Sequence, residues 1–310
     1  MKKVLITSRS FGQASKVPFE ILESAGISYT MMGADYSDTG FSKIIANYDA
    51  LIIGGHKFDS TDMERCKNLK IIAKHGAGLD NIHLNKAKEM GITVTSVPAM
   101  NSEAVADLAF SLILDISRGV SMTNSQVRSG RWNIYIGRDV YSKTLGLIGF
   151  GAIAKCVARR ARGFSMKVLA HDPFISEVPE EFSDIATLCD FETATTQSDI
   201  VSVHVPLTDQ TKNMFNKETI LKMKKAAVLV NTGRGGTVNE ADLYNCMKGG
   251  HLLGAALDVT GVEPIEHGNP LLTLENVTIT PHIGMYTAEA VSAVSVVCAN
   301  NIVKELTQNG

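Results

Sequence analysis

Short, unbroken apolar runs recur along this chain, separated by stretches in which apolar residues return every three or four positions. Runs at 4–6, 51–53, 71–73, 92–94, 145–148, 167–170, 200–204, 227–230, 255–257 and 277–279 predict strands. Most of them lack polar alternation, which predicts burial on both faces, as in a parallel sheet covered by helices. Helical patterning falls between them, at 18–24, 63–68, 84–90, 152–162, 217–223 and 240–247. A longer helix is predicted from Asn101 or Ser102 to Gly119, with Val105, Leu108, Leu112, Ile113 and Ile116 along one stripe, and another over 287–306. Residues 120–143 break the rhythm and read as a polar arm around Trp132, the only tryptophan. Alternating strands and helices predict an α/β fold, and 310 residues suit two doubly wound parallel-sheet domains.

One stretch organises the rest. Leu145, Leu147 and Ile148 end at Gly149-Phe150-Gly151-Ala152-Ile153-Ala154, where the helical pattern begins. Gly149 permits a sharp turn, Gly151 lets a pyrophosphate approach the backbone, and the helix start offers unpaired N–H groups. Ala154 suffices where only close helix–strand packing is needed. The next strand ends at Asp172, about 20 residues beyond Gly151, where an acid accepts the ribose hydroxyls of NAD and repels a 2′-phosphate. These features predict a dinucleotide site selective for NAD.

Composition narrows the alternatives. Apolar residues make up 45% and charged residues 20%, and the formal net charge of −2 gives no basic signature for nucleic acid or anionic membrane. No apolar run reaches the roughly 18 residues of a membrane span, and Met1-Lys2-Lys3 leads straight into a strand, so no signal peptide is expected. Five scattered cysteines without C-x-x-C spacing suit a reducing cytoplasm and no metal cage.

Four strand ends carry polar residues where a buried sheet need only turn. They are Gly76-Ala77-Gly78-Leu79-Asp80-Asn81, Asn231-Thr232-Gly233-Arg234-Gly235-Gly236, the segment 258–264, and Thr280-Pro281-His282-Ile283-Gly284. Ligands of open α/β sheets bind at such carboxyl ends. Together the four supply N–H groups, a guanidinium, carboxylates and an imidazole, the set that holds a 2-keto acid's carboxylate and protonates its oxygen. Taken singly, Arg234 reads more readily as a solvated loop arginine and Glu263 as an ordinary loop acid.

These motifs, with Val105-Ala106-Asp107, His204-Val205-Pro206-Leu207, Leu257-Asp258-Val259 and Val262-Glu263-Pro264, occur in the order and spacing of a known family. The chain resembles the D-isomer-specific 2-hydroxyacid dehydrogenases, among them phosphoglycerate, glycerate and lactate dehydrogenases. The resemblance implies a Rossmann nucleotide-binding domain (99–284) inserted in a flavodoxin-like substrate domain (1–98 and 285–310), with the site in the cleft. It implies that Arg234 holds the substrate, Glu263 hydrogen-bonds the catalytic imidazole, and His282 is the general acid/base. Gly76, Ala77 and Gly78 are the implied loop for the substrate carboxylate. Gly149, Gly151, Ala152, Ile153 and Asp172 are implied to hold NAD, as are His204, Pro206, Thr211 and Thr232. Asp258 and His282 would meet its nicotinamide end. A homodimer through the helix after Asn101 and the arm with Trp132 is implied too.

Three departures stand out. Asp107 replaces the more usual Glu, and Thr260-Gly261 replaces an aromatic-acid pair. Gly54-Gly55 stands where phosphoglycerate dehydrogenases carry Arg-Ser, leaving Lys57 and Lys74 as the nearby cations, so a non-phosphorylated 2-hydroxy acid is expected over 3-phosphoglycerate. The other reading is an NAD-sensing interaction module, like the corepressors related to this family.

Overall fold

Five short strands make the first sheet: β1 Lys3–Ile6, β2 Ser28–Met31, β3 Ala50–Ile53, β4 Ile71–Lys74 and β5 Thr93–Thr95. The computed structural model describes residues 1–32, 41 and 43–308. All five strands are parallel, in the order β2-β1-β3-β4-β5, the flavodoxin-like order. Both faces are covered. Val4, Ile6, Ile52 and Ala73 pack with Leu22 of the helix Val17–Ser24 and with Val294, Cys298 and Ile302 of the helix Ala288–Gln308. Leu5, Leu51, Ile53 and Ile72 face Met63, Ala87 and Ile92 on the other side. Each such side chain, fully buried, is worth about 1.5–3 kcal/mol, and this two-sided burial is what the unbroken apolar runs recorded.

The second sheet has seven parallel strands: β6 Thr144–Ile148, β7 Lys167–His171, β8 Ala186–Leu188, β9 Ile200–Val203, β10 Val228–Asn231, β11 Gly254–Leu257 and β12 Val277–Ile279. Their order, β12-β11-β10-β9-β6-β7-β8, is that of the Rossmann fold extended by one strand. The order reverses between β9 and β6, which pair in register from Leu145 with Ile200 to Ile148 with Val203. The helix Ser102–Arg118 buries Phe110, Leu112, Ile113 and Ile116 in the same core as Leu145 and Val230. The two units are Met1–Asn101 with Met285–Gly310, and Ser102–Gly284.

Several local expectations need correction. The polar arm at 120–143 holds a helix that was not expected, Val120–Arg128. None of its residues is buried, so it has no apolar stripe to reveal it. The helix expected at 63–68 forms at Ser60–Glu64, where Asp59 accepts the Asp62 N–H at 3.0 Å and caps it. The strands β2 and β8 and the helix Phe191–Thr196 carried too few apolar residues to be read.

Candidate active site

The glycine turn after β6 leaves its backbone open. Gly149 has φ +86°, and a Cβ there would press on Val205 and the His204 carbonyl. Gly151 caps the helix Ala152–Gly163 with no side-chain bond, and a Cβ on it would project into open space. The N–H groups of Gly151, Ala152 and Ile153 have no partner among the described residues. Asp172, just past β7, is tied to the same turn: Oδ2 accepts the Phe150 N–H at 2.9 Å and Oδ1 the Phe174 N–H at 2.9 Å. Its carboxylate keeps lone pairs for ribose hydroxyls. These residues fit a dinucleotide.

At the end of β9, both ring nitrogens of His204 are engaged, Nε2 with Ser202 Oγ at 3.0 Å and Nδ1 with Thr232 Oγ1 at 3.2 Å. Burial pushes the imidazole down to about 4, so it is neutral. Pro206 follows, its carbonyl accepting the Thr211 hydroxyl at 2.6 Å.

Arg234 sits in a loop organised by buried Asn231. That side chain donates to the Arg234 carbonyl (3.0 Å) and accepts the Gly233 N–H (3.0 Å). Arg234 Nη1 donates to the Gly233 carbonyl at 2.8 Å. Gly235 allows this loop to lie on the next one, since a Cβ there would overlap the Thr260 carbonyl.

Glu263 and His282 meet from separate loops, with His282 Nδ1 2.8 Å from Glu263 Oε2. Both are about half exposed. Burial pushes the Glu263 carboxyl up, but the His282 hydrogen bond and charge, the Thr260 N–H and the Arg234 charge outweigh it and hold the group below its ordinary value. The backbone of His282 is left-handed, φ +54°, uncommon for a residue other than glycine. Its own N–H reaches the carbonyls of Asp258 and Thr280, both at 2.9 Å. Asp258, 2% exposed, accepts the Thr280 hydroxyl (2.6 Å) and the Ile283 N–H (2.8 Å) at Oδ1, and the Gly284 N–H (2.9 Å) at Oδ2. Burial leaves this carboxyl above its ordinary value despite those bonds. Asp258 thus clamps the turn that presents His282.

In the other unit, residues 76–78 follow β4. The N–H groups of Ala77 and Gly78 have no partner among the described residues.

A family model for the NAD-binding domain of D-isomer specific 2-hydroxyacid dehydrogenases matches residues 110–284. The hydroxypyruvate reductase of Thermotoga maritima is 44% identical over 85% of this chain and 87% of its own length. The chain belongs to the D-isomer specific 2-hydroxyacid dehydrogenase family. This dehydrogenase is therefore an NAD-dependent oxidoreductase. It is also 39% identical to the D-3-phosphoglycerate dehydrogenase of Archaeoglobus fulgidus, over 84% of this chain but 50% of that protein. The NAD-dependent formate dehydrogenase of Staphylococcus aureus, solved with NAD, superposes with a TM-score of 0.88 over 100% of this chain and 97% of that one, at 26% identity.

Two features of the dehydrogenase escaped sequence reasoning. Glu240, in the first turn of the helix Glu240–Lys248, reads from sequence as a helix-dipole acid, yet it reaches across to Gly261 and Asn269. Asn231 stood inside a quoted motif, but its part as organiser of the Arg234 loop needed the fold. A cavity of ≈ 420 Å³ lined by Lys217, Lys225, Asn245 and His251 lies by the amino ends of β10 and β11, opposite the strand ends that carry the site. Among the described residues no cluster could hold a metal, and no helix is long and apolar enough to cross a membrane.

Proposed function

We propose that this dehydrogenase interconverts a small, non-phosphorylated D-2-hydroxy acid and its 2-keto acid, with Arg234, Glu263 and His282 as its catalytic set. The observation that carries this reading is the 2.8 Å bond from Glu263 to His282 Nδ1, which leaves Nε2 to face the reacting oxygen. NADH, when bound, supplies a hydride to the keto carbon. Residues 149–153 would hold its pyrophosphate and Asp172 its ribose. In reduction His282 carries a proton at Nε2, gives it to the substrate oxygen as negative charge develops there, and ends neutral. In oxidation it starts neutral and takes the hydroxyl proton. Arg234 offers a planar fork to the substrate carboxylate and carbonyl.

Two observations support a substrate without phosphate. A side chain at Gly54 would sit 3.3 Å from the Ser8 backbone, leaving little room for an arginine. The buried Lys74 ammonium donates to the Gly54 carbonyl (2.6 Å) and to Asn81 Oδ1 (2.9 Å), which fixes it inside the first unit.

A second copy of the chain is the proposed partner. Trp132, Ile134 and Ile136 are 87–93% exposed, an apolar edge that a homodimer would cover. Five unpaired cysteines fit a reducing compartment such as the cytoplasm. NADH oxidation with glyoxylate, hydroxypyruvate, pyruvate and phosphohydroxypyruvate tests the function. Turnover is expected with one of the first three and poor kcat/KM with the last. Tight NADH binding without turnover of any 2-keto acid would point instead to an NAD sensor, and preference for the phosphorylated acid would overturn the substrate assignment.

A further inference from the structure

The loop that carries Glu263 lacks an apolar anchor of its own. Residues 261–264 and 266–268 are exposed, and the nearest buried apolar side chains are Val259 and Leu271 at its two ends. Such a loop keeps its shape through polar contacts. One side chain supplies two of them. Glu240 accepts the Gly261 N–H at Oε1, 2.6 Å, and the Asn269 side-chain amide at Oε2, 2.7 Å. Asn269 in turn accepts the Leu271 N–H at 3.0 Å.

Glu240 projects from a fixed base. Its helix is capped by Asn239, which accepts the Asp242 N–H at 3.1 Å, and buries Leu243, Cys246 and Met247. An acid in a helix's first turn is ordinarily explained by the helix dipole. The dipole, however, does not account for two charge-assisted bonds from separate oxygens to opposite ends of one loop. Between those ends, Glu263 Oε1 accepts the Thr260 N–H at 3.2 Å while Oε2 meets His282.

We propose that Glu240 is a positioning residue for the Glu263–His282 pair, pinning residues 261–269 so that the Glu263 carboxylate stays within hydrogen-bond reach of the imidazole. This rests on the acid/base reading of that pair. The other charged groups acting on the pair are Arg234, whose charge bears on Glu263, and Asp258, which His282 faces. Glu240 hydrogen-bonds neither Glu263 nor His282, and it is not among the charges acting on Glu263, so its proposed influence runs through the geometry of the loop.

The test uses the full-length enzyme and compares Glu240→Ala, Glu240→Gln, Glu263→Gln and the double variant Glu240→Ala/Glu263→Gln. The readouts are kcat, KM, NADH binding and the pH dependence of 2-keto acid reduction. Misplacing a catalytic group by about 1 Å costs up to about 100-fold, so Glu240→Ala should lose about 10–100-fold in kcat with NADH affinity retained. Its alkaline limb should move to lower pH, as that of Glu263→Gln does, and the double variant should lose no more than Glu263→Gln alone. Glu240→Gln keeps an acceptor for Gly261 and should recover part of kcat, which also serves if the alanine variant does not fold. A moved limb in Glu263→Gln with unmoved limbs in both Glu240 variants overturns the proposal alone, as do losses that multiply in the double variant. An unmoved limb in Glu263→Gln overturns the acid/base reading, and the proposal with it.

Discussion

His282 Nδ1 and Glu263 Oε2 lie 2.8 Å apart, brought together from the loops after β12 and β11. Because Glu263 is held below its ordinary carboxylate value, it is an anion across the neutral range, within hydrogen-bond reach of the imidazole. Reduction, which needs the protonated ring, should fail as pH rises, whereas oxidation needs the neutral ring and should fail as pH falls. Glu263→Gln keeps the shape and removes the charge, so both limits should move to lower pH. His282→Ala should lose about 10²–10⁴ in kcat with NADH binding retained. Profiles of kcat/KM against pH in both directions check this pair of outcomes. An active His282→Ala would require another acid.

The backbone of Arg234 is set by buried Asn231 and by the close approach of Gly235 to Thr260. Lysine in its place keeps one charge and loses the planar fork. Arg234→Lys should raise KM and lower kcat with NADH affinity intact, as measured by steady-state kinetics and NADH fluorescence titration. Near-normal kcat/KM would remove Arg234 from the site.

Asp172 is expected to decide between NAD and its 2′-phosphorylated form. Charge-assisted hydrogen bonds contribute about 1.5–3 kcal/mol, so Asp172→Ala should weaken NADH binding by roughly 10–150-fold. It should also narrow the preference over NADPH. The same substitution frees the Phe150 and Phe174 N–H groups, so some loss of order at the glycine turn is expected too. Wild-type preference for NADPH in parallel titrations would contradict the assignment.

His75 should make the protein acid-sensitive. It is 4% exposed, with Nδ1 3.0 Å from Ser8 Oγ and Nε2 2.8 Å from Ser295 Oγ. Burial, helped by the Lys74 charge, pushes it down to about 4, while an unfolded histidine titrates near 6.5. The unfolded chain therefore takes up the proton first. The contribution is fully present above about 6.5 and is lost as pH falls toward about 4. Urea midpoints measured across that window should fall for wild type and show a flatter slope for His75→Gln. Equal slopes would mean that another group governs acid unfolding.

The strands and most helices were legible because a strand buried on both faces writes its environment into adjacent residues, as Ala50–Ile53 and Ile71–Lys74 do. The glycine turn was legible for a related reason: strand, turn and helix start are contiguous, so the phosphate-binding geometry is local. Elements that bury little left no record, which is why the helix Val120–Arg128 and the edge strand Ser28–Met31 went unread. Arg234, Glu263 and His282 could be named from their motifs, but only the family resemblance joined Glu263 to His282; nothing in the residues themselves did. Their meeting depends on β10, β11 and β12 lying side by side, so that loops distant along the chain emerge at one sheet end. The left-handed backbone of His282, the buried clamp of Asp258 and the reach of Glu240 to Gly261 and Asn269 belong to the same class. A hydrogen bond between loops leaves no periodic mark in either one, because each side chain answers to a partner that only folding brings near.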